Sequence, residues 1–141
     1  MEYKQFENKY LLRLDKGEEV VSVLKDFCAQ KNILCGAVAG IGAVDKVTLG
    51  VFYPATKEYK ERTLEGIFEI TSLLGNVSTK DKKAYLHLHI NVGDTENKVF
   101  GGHLVAARIS ATGEIFVNAV DGTVERSLSD EIGLNLLDFE K

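Results

Sequence analysis

Apolar and polar residues alternate along most of the chain, and this alternation predicts β-strands. A period of two sends successive side chains to opposite faces of a strand, so an alternating run indicates a strand with one buried face. Alternating or continuous apolar runs, separated by turn residues, predict strands at 9–14, 33–40, 44–53, 57–64, 66–78, 84–92, 98–106 and 114–120. One or two further short strands are expected within 123–141.

Only one segment shows the period of a helix. Its apolar positions recur every three or four residues on one stripe, formed by Val20, Val21, Leu24, Phe27 and Cys28. The stripe predicts a helix over about 18–31, and Asp15 and Glu18 have the spacing of an N-terminal capping box. One early helix followed by many strands predicts an α+β fold with a mostly antiparallel sheet, in a single domain over residues 1–141.

Composition and sequence patterns exclude several classes of protein. No apolar run approaches the roughly 20 residues that span a bilayer, and residues 1–10 lack a signal-peptide core, so we expect a cytoplasmic protein without membrane contact. The net charge of −4 argues against binding polyanions by bulk electrostatics. Residues 40–43 contain two glycines but no third at the dinucleotide-binding spacing, so we expect a tight turn or close backbone packing. Cys28 and Cys35 are expected to be buried, reduced thiols.

All three histidines lie in two neighbouring predicted strands, which a five-residue polar loop joins. If Val92 pairs with Lys98, His87 lies directly opposite His103. His89 is two residues along its strand and points to the same face.

In this register Gly101 lies opposite His89 and leaves open space beside its imidazole. Three converging imidazoles predict a metal site, and zinc with an open fourth position is the usual chemistry of such a set. Two alternatives stay open. A one-residue slip would send His103 to the other face, and a His-x-His pair on a strand can also be a half-exposed polar face.

Glu69 is the one carboxylate inside the apolar strand 66–78. A carboxylate in such a run is paired, protonated, directed to a cavity or placed at an interface, unless it is simply half-exposed. It is the candidate for a catalytic residue.

Several motifs of the chain, in their order, resemble those of the plant and prokaryote conserved domain, which occurs beside AT-hooks in plant nuclear proteins. The signature Gly-x-Phe-Glu-Ile-x-Ser-Leu-x-Gly matches residues 66–75, and the two histidine motifs match 87–90 and 101–104. Residues 14–18 and 39–43 match as well, so the resemblance covers nearly the whole chain.

The resemblance implies an α+β domain that assembles as a homotrimer. In stand-alone prokaryotic members it implies a metal, usually taken as zinc, held here by His87, His89 and His103. It places Glu69 beside the site or at a subunit interface. The family is often labelled DNA-binding, but that label rests on the AT-hook, an Arg-Gly-Arg-Pro core outside the domain, and this sequence contains no such segment.

Three functions therefore remain to be weighed. The first is a homotrimeric, metal-binding assembly or regulatory domain. The second is a zinc-dependent hydrolase or lyase that uses metal-bound water, with Glu69 as general base and a small-molecule ligand at the metal. The third is DNA binding by the domain itself, which needs clustered basic residues. Residues 57–62 instead interleave lysine and arginine with glutamate.

Overall fold

The computed structural model describes residues 1–140 and contains eight strands and one helix. Their order along the chain is β1 (Glu2–Phe6), β2 (Lys9–Asp15), α1 (Val20–Gln30), β3 (Gly36–Tyr53), β4 (Glu58–Lys80), β5 (Lys83–Gly93), β6 (Val99–Ala119), β7 (Glu125–Ser129) and β8 (Leu134–Asp138). The predicted α+β class is confirmed: one short helix packs on a sheet in a single compact domain. Every strand pair is antiparallel except β4 with β7, which share one parallel position.

Four long strands form a closed circuit of pairing. β3 pairs with both β4 and β6, and β5 pairs with the other side of β4 and with the first residues of β6. β6 can do this because its 21 residues reach from β5 at one end to β2 at the other. The β7–β8 hairpin extends the sheet beyond β4.

At three places where the sequence predicts a break between two strands, the structure has one continuous long strand. The predicted strands 33–40 and 44–53 are one strand, β3, whose ladder to β4 shifts register between Gly40 and Gly42 and again between Val44 and Lys46. A side chain at Gly42 would meet the backbone oxygen of Thr112 at 2.4 Å. Of the two predictions for residues 40–43, close backbone packing is therefore confirmed and a tight turn is wrong. In the same way β4 joins 57–64 to 66–78, and β6 runs through the predicted turn at 110–113.

The start of the helix differs from the prediction. Glu18 accepts a hydrogen bond from the backbone N–H of Asp15 at 2.7 Å, which is one half of a capping box, but the helix begins two residues later. Its N-cap is Glu19, whose carboxylate accepts bonds from the backbone N–H groups of Val21 and Ser22. Asp15 itself still belongs to β2, because it pairs with Thr112 of β6.

One hydrophobic core holds these elements together. The buried stripe of α1 packs over β5 and β6, and Phe27 makes edge contacts with the rings of Tyr3 and Tyr10 from β1 and β2. Both cysteines are free, and Cys28 is buried as predicted, whereas Cys35 is half-buried. Among residues 1–140 no helix has the length and apolarity that crossing a bilayer requires.

Candidate metal centre

The three histidines share one face of the β5–β6 hairpin. Along β5 the residues Leu88, Ile90 and Val92 are buried in the core, so the intervening His87 and His89 point away from it. This alternation is the predicted one. His103 lies near the start of β6 and points to the same side.

The predicted register of this hairpin is wrong by two residues. His103 pairs with His89, not with His87, and Gly101 pairs with Asn91. The last paired position is Gly93 with Val99, after which Asp94 closes the loop by accepting bonds from the backbone N–H groups of Glu96 and Lys98. A slip of two residues keeps every side chain on its face, so the clustering of the histidines survives the error.

The imidazoles converge closely enough to share one ligand. Their ring centroids lie 5.2 Å apart for His87 and His89, 5.3 Å for His87 and His103, and 5.6 Å for His89 and His103. One nitrogen from each ring lies within 4.8 Å of the other two. His87 and His103 are half-buried, whereas His89 is exposed.

The surroundings favour the neutral form of two of these rings. Burial lowers the pKa of His87 below its usual 6.5, and the neighbouring His103, Arg126 and His89 lower it further. Burial and then the proximity of His89 lower the pKa of His103 in the same direction. Neutral imidazole is the form that binds metal, so both rings are ready to act as ligands near pH 7.

A cavity of about 570 Å³ opens beside the histidines. Its walls come from the ends of β3 and β4, from β5 and β6, and from the β7–β8 hairpin, including Phe52, Tyr85, Leu134 and Leu136. Tyr59 closes one side: its ring lies across Gly50, where a side chain would come within 2.3 Å of it, and meets the ring of His103 edge-on. The histidine cluster is therefore a wall of a pocket with room for a small ligand.

Arg126 is a residue of the cavity wall that the sequence analysis did not select. It is buried in β7, lines the same cavity, and stacks over Tyr85 with its guanidinium carbon 5.0 Å from the ring centroid. The only signal in the sequence was an arginine in a short strand otherwise made of serine, leucine and glutamate. Its hydrogen-bond partners on β4 lie about 50 residues away along the chain, beyond the reach of local patterns.

Glu69 lies apart from the histidine cluster. It is exposed on β4 and pairs with Gly93, four residues along β5 from His89, or about 13 Å at the rise of a strand. It does not belong to the cavity wall. Within one chain the structure brings together the three predicted histidines but not the predicted carboxylate.

The donor set fits a zinc ion. Three neutral imidazoles are a common catalytic-type zinc set, with metal–nitrogen bonds of about 2.0–2.1 Å. A tetrahedral ion at that distance needs nitrogens about 3.4 Å apart, so the rings close on it by about 1.4 Å or less from their separations of up to 4.8 Å. The exposure of His89 allows such a movement, and the cavity leaves a side free for a further ligand.

Comparison with known families and proteins adds to this geometry. The family model of the Plants and Prokaryotes Conserved domain matches residues 1–121 of this sequence. Comparison with the curated proteins gives no match.

Three solved structures resemble the chain over nearly its full length. A candidate DNA-binding protein from Bacteroides thetaiotaomicron is 38% identical with a TM-score of 0.97, covering 99% of this chain and 98% of its own. A metal-containing protein from Archaeoglobus fulgidus is 35% identical with a TM-score of 0.87, covering 96% of both chains. A plant- and prokaryote-conserved protein from Pyrococcus horikoshii is 34% identical with a TM-score of 0.85, covering 99% of this chain and 95% of its own.

Proposed function

Because the chain belongs to the Plants and Prokaryotes Conserved domain family, we propose that it is a metal-binding member that holds a zinc ion on His87, His89 and His103. The observation that carries the proposal is the convergence of three ligand nitrogens to within 4.8 Å on one wall of a cavity. The relative from Archaeoglobus fulgidus, which is described as metal-containing, supports it. A zinc ion on three imidazoles keeps a fourth position for water or ligand oxygen and makes bound water more acidic.

Elemental analysis of untagged protein tests the metal site. We expect close to one zinc per chain, and loss of that zinc in the double variant His87→Ala/His89→Ala. Asn91→Ala is the matched control, because Asn91 is the next residue on the same face of β5 and lies outside the cluster. Wild-type protein that holds no metal after zinc is supplied and excess removed would refute the proposal.

We further propose that the domain extends over residues 1–141 and assembles as a homotrimer. Support for assembly comes from an outer apolar patch formed by Leu11, Ile41, Leu74 and Phe116 around one shallow depression of the sheet. Leu74 pairs with His89, so this patch adjoins the histidine cluster. An apolar patch of this kind is typical of a protein–protein contact surface.

A zinc-dependent hydrolase or lyase is the second candidate, and the cavity beside the exposed His89 is the observation that favours it. In this candidate, Glu69 could act as general base only on the metal site of a neighbouring copy. Within one chain it lies about 13 Å along the strand from His89. Zinc-loaded protein is to be screened against ester, amide and carboxylate substrates. Turnover lost in His87→Ala/His89→Ala and reduced in Glu69→Gln would favour this candidate over a purely structural metal.

DNA binding comes to this chain through the names of solved relatives that are described as candidate DNA-binding proteins. The charge pattern does not support it, because the net charge is −4 and residues 57–62 interleave basic and acidic side chains. Titration with duplex DNA at about 50 and about 200 mM salt decides the matter, since contacts to phosphate weaken steeply over that range. We expect no saturable binding, and tight, salt-sensitive binding would restore the DNA hypothesis.

A further inference from the structure

Arg126 is a buried cation whose hydrogen-bond partners are all neutral. Only 8% of its surface is exposed. Its Nε donates to Ser78 Oγ at 2.7 Å, Nη1 donates to the backbone oxygen of Asn135 at 2.8 Å, and Nη2 donates to Asn76 Oδ1 at 3.1 Å. Burying a charge without a partner of opposite sign is costly, and an anion bound beside it would offset part of that cost.

No acidic side chain compensates this charge within the part of the chain that the structure describes. The walls of the cavity contain neither aspartate nor glutamate, and Arg126 forms no salt bridge in residues 1–140. The ring of Tyr85 offers only its π face. Desolvation lowers the pKa of Arg126, but a guanidinium stays charged at neutral pH.

The guanidinium also lies next to the histidine cluster. Two of its partners, Asn76 and Ser78, are paired across the β4–β5 ladder with His87 and Tyr85. Side chains at such paired positions lie about 5 Å apart. Asn76 therefore lies between the guanidinium, from which it accepts a hydrogen bond, and the imidazole of His87. The charge of Arg126 contributes to lowering the pKa of His87, as expected at this proximity.

We infer that this cavity binds a small organic carboxylate, with the carboxylate on Arg126 and a second oxygen directed towards the histidine cluster. A guanidinium carries five N–H groups, and the three bonds above leave two for a ligand. Carboxylates suit such N–H groups well. The apolar body of the ligand lies against Val51, Phe52, Leu134 and Leu136.

The charge of the cavity selects carboxylate over phosphate. Arg126 is the only arginine on the described walls, and no lysine lies there. In the metal-free protein, one permanent cation in a largely apolar pocket matches a monoanion, whereas a phosphate dianion would lack a second cationic side chain. The role of the histidines towards the second oxygen rests on the proposed zinc binding, but the Arg126 contact rests on the described side chains alone.

Calorimetric titration with lactate and propionate tests the inference in both zinc-loaded and metal-free protein. We expect saturable binding of at least one of them to the wild-type protein and a loss of ten-fold or more in affinity in Arg126→Met. Arg108→Met is the control, because Arg108 pairs with Asp45 on the surface and lies outside the cavity. Wild-type protein that binds neither acid in either form, or unchanged affinity in Arg126→Met, would overturn the inference, as would tighter binding of inorganic phosphate to the metal-free protein.

A second variant covers the case in which Arg126→Met does not fold. Leu136→Glu places a carboxylate on the cavity wall, where it repels or replaces the ligand, and Leu136 is exposed enough to accept it. Ile132→Glu is the control in the turn of the same hairpin, similarly exposed but off the wall. We expect weaker carboxylate binding in Leu136→Glu only, and equal binding in both variants would contradict the site.

Zinc content measured on each sample separates this inference from the proposed function. Protein that binds no zinc but binds carboxylate through Arg126 would refute the metal proposal and support the anion site. Protein that retains zinc but binds no carboxylate would refute the anion site alone.

Discussion

At the scale of single residues, the molecule places neutral and charged nitrogen groups side by side. Burial keeps His87 and His103 in the neutral form, because it lowers their pKa, while Arg126 keeps its charge. The first two are suited to a metal and the third to an anion. This division of roles follows from residue type and burial together.

Burial acts in the opposite direction on the thiol of Cys28. It raises the pKa to about 11, so the thiol stays protonated throughout the neutral range and thiolate forms only near pH 11. We expect a thiol reagent at pH 8 to modify Cys35, which is half-buried, and to leave Cys28 unmodified until the protein unfolds. Mass spectrometry of native and denatured samples counts the labels.

The Cys35→Ser variant is the control for this labelling. It should take up no label in the native state and one label in denaturant. Rapid native labelling of this variant would show that Cys28 is accessible or that the helix over it opens readily.

At the scale of elements, the N-terminus of α1 is tied to the sheet by one side chain. The Glu19 carboxylate accepts bonds from the backbone N–H groups of Val21, Ser22 and Ala107, and the last of these belongs to β6. One residue therefore caps the helix and fixes it to the strand that carries His103.

Removing this cap should destabilise the whole domain. Glu19→Ala leaves three N–H groups without their acceptor, and we expect a loss of about 2 kcal/mol in the free energy of unfolding by urea denaturation. Lys25→Ala, on the exposed side of the same helix, should change it by less than about 0.5 kcal/mol. Equal effects of the two substitutions would show that the cap contributes nothing specific.

The β4–β5 ladder depends on Gly75. A side chain there would meet the backbone oxygen of His87 at 2.1 Å, so the strands must separate to admit it. We expect Gly75→Ala to lower the unfolding free energy by roughly 2–4 kcal/mol and to weaken metal binding through the displaced His87.

Gly93→Ala is the matched control on the same ladder. The added methyl group meets only Thr71 Cγ2 at 3.5 Å, an ordinary contact, so its effect should stay within about 1 kcal/mol. Thermal unfolding of both variants beside the wild type measures the difference, and a similar loss in both would refute the steric argument.

The elements also show what the sequence could and could not predict. The face of each histidine follows from strand parity, which local alternation reveals, whereas the pairing of His103 with His89 depends on how the loop closes through Asp94. Alternation could not show that β3 continues past Gly42, because only the approach of β6 explains the glycine there. The contact of Arg126 with Asn76 is equally non-local.

At the scale of the whole molecule, the outer apolar patch offers a contact surface to a second copy. Ile41 and Leu74 are exposed by 57% and 58% on one side of the sheet, beside the exposed histidine of the cluster. Association through this patch would bring a neighbouring chain close to the cavity. Oligomerisation and ligand binding would then influence each other.

Light scattering coupled to gel filtration tests the proposed trimer. We expect three times the mass of one chain for the wild-type protein and dissociation in Ile41→Glu, because a charge in an apolar interface is costly. Val120→Glu is the control, since Val120 is equally exposed, at 57%, and lies outside the patch. A monomeric wild-type protein would refute the trimer, and an intact trimer in Ile41→Glu would place the interface elsewhere.

The hairpin that carries the three histidines also bears on how the chain folds. All the proposed ligands lie within 87–103, so bringing them together closes a short loop and costs little conformational entropy. Most other pairings join distant parts of the chain, as β2 does with the end of β6, and such topologies fold slowly. A metal ion can therefore organise this hairpin before the rest of the sheet exists, so zinc would accelerate folding more than it slows unfolding. Because the partly unfolded chain also binds the ion, zinc would stabilise the native state less than its affinity for the finished site suggests.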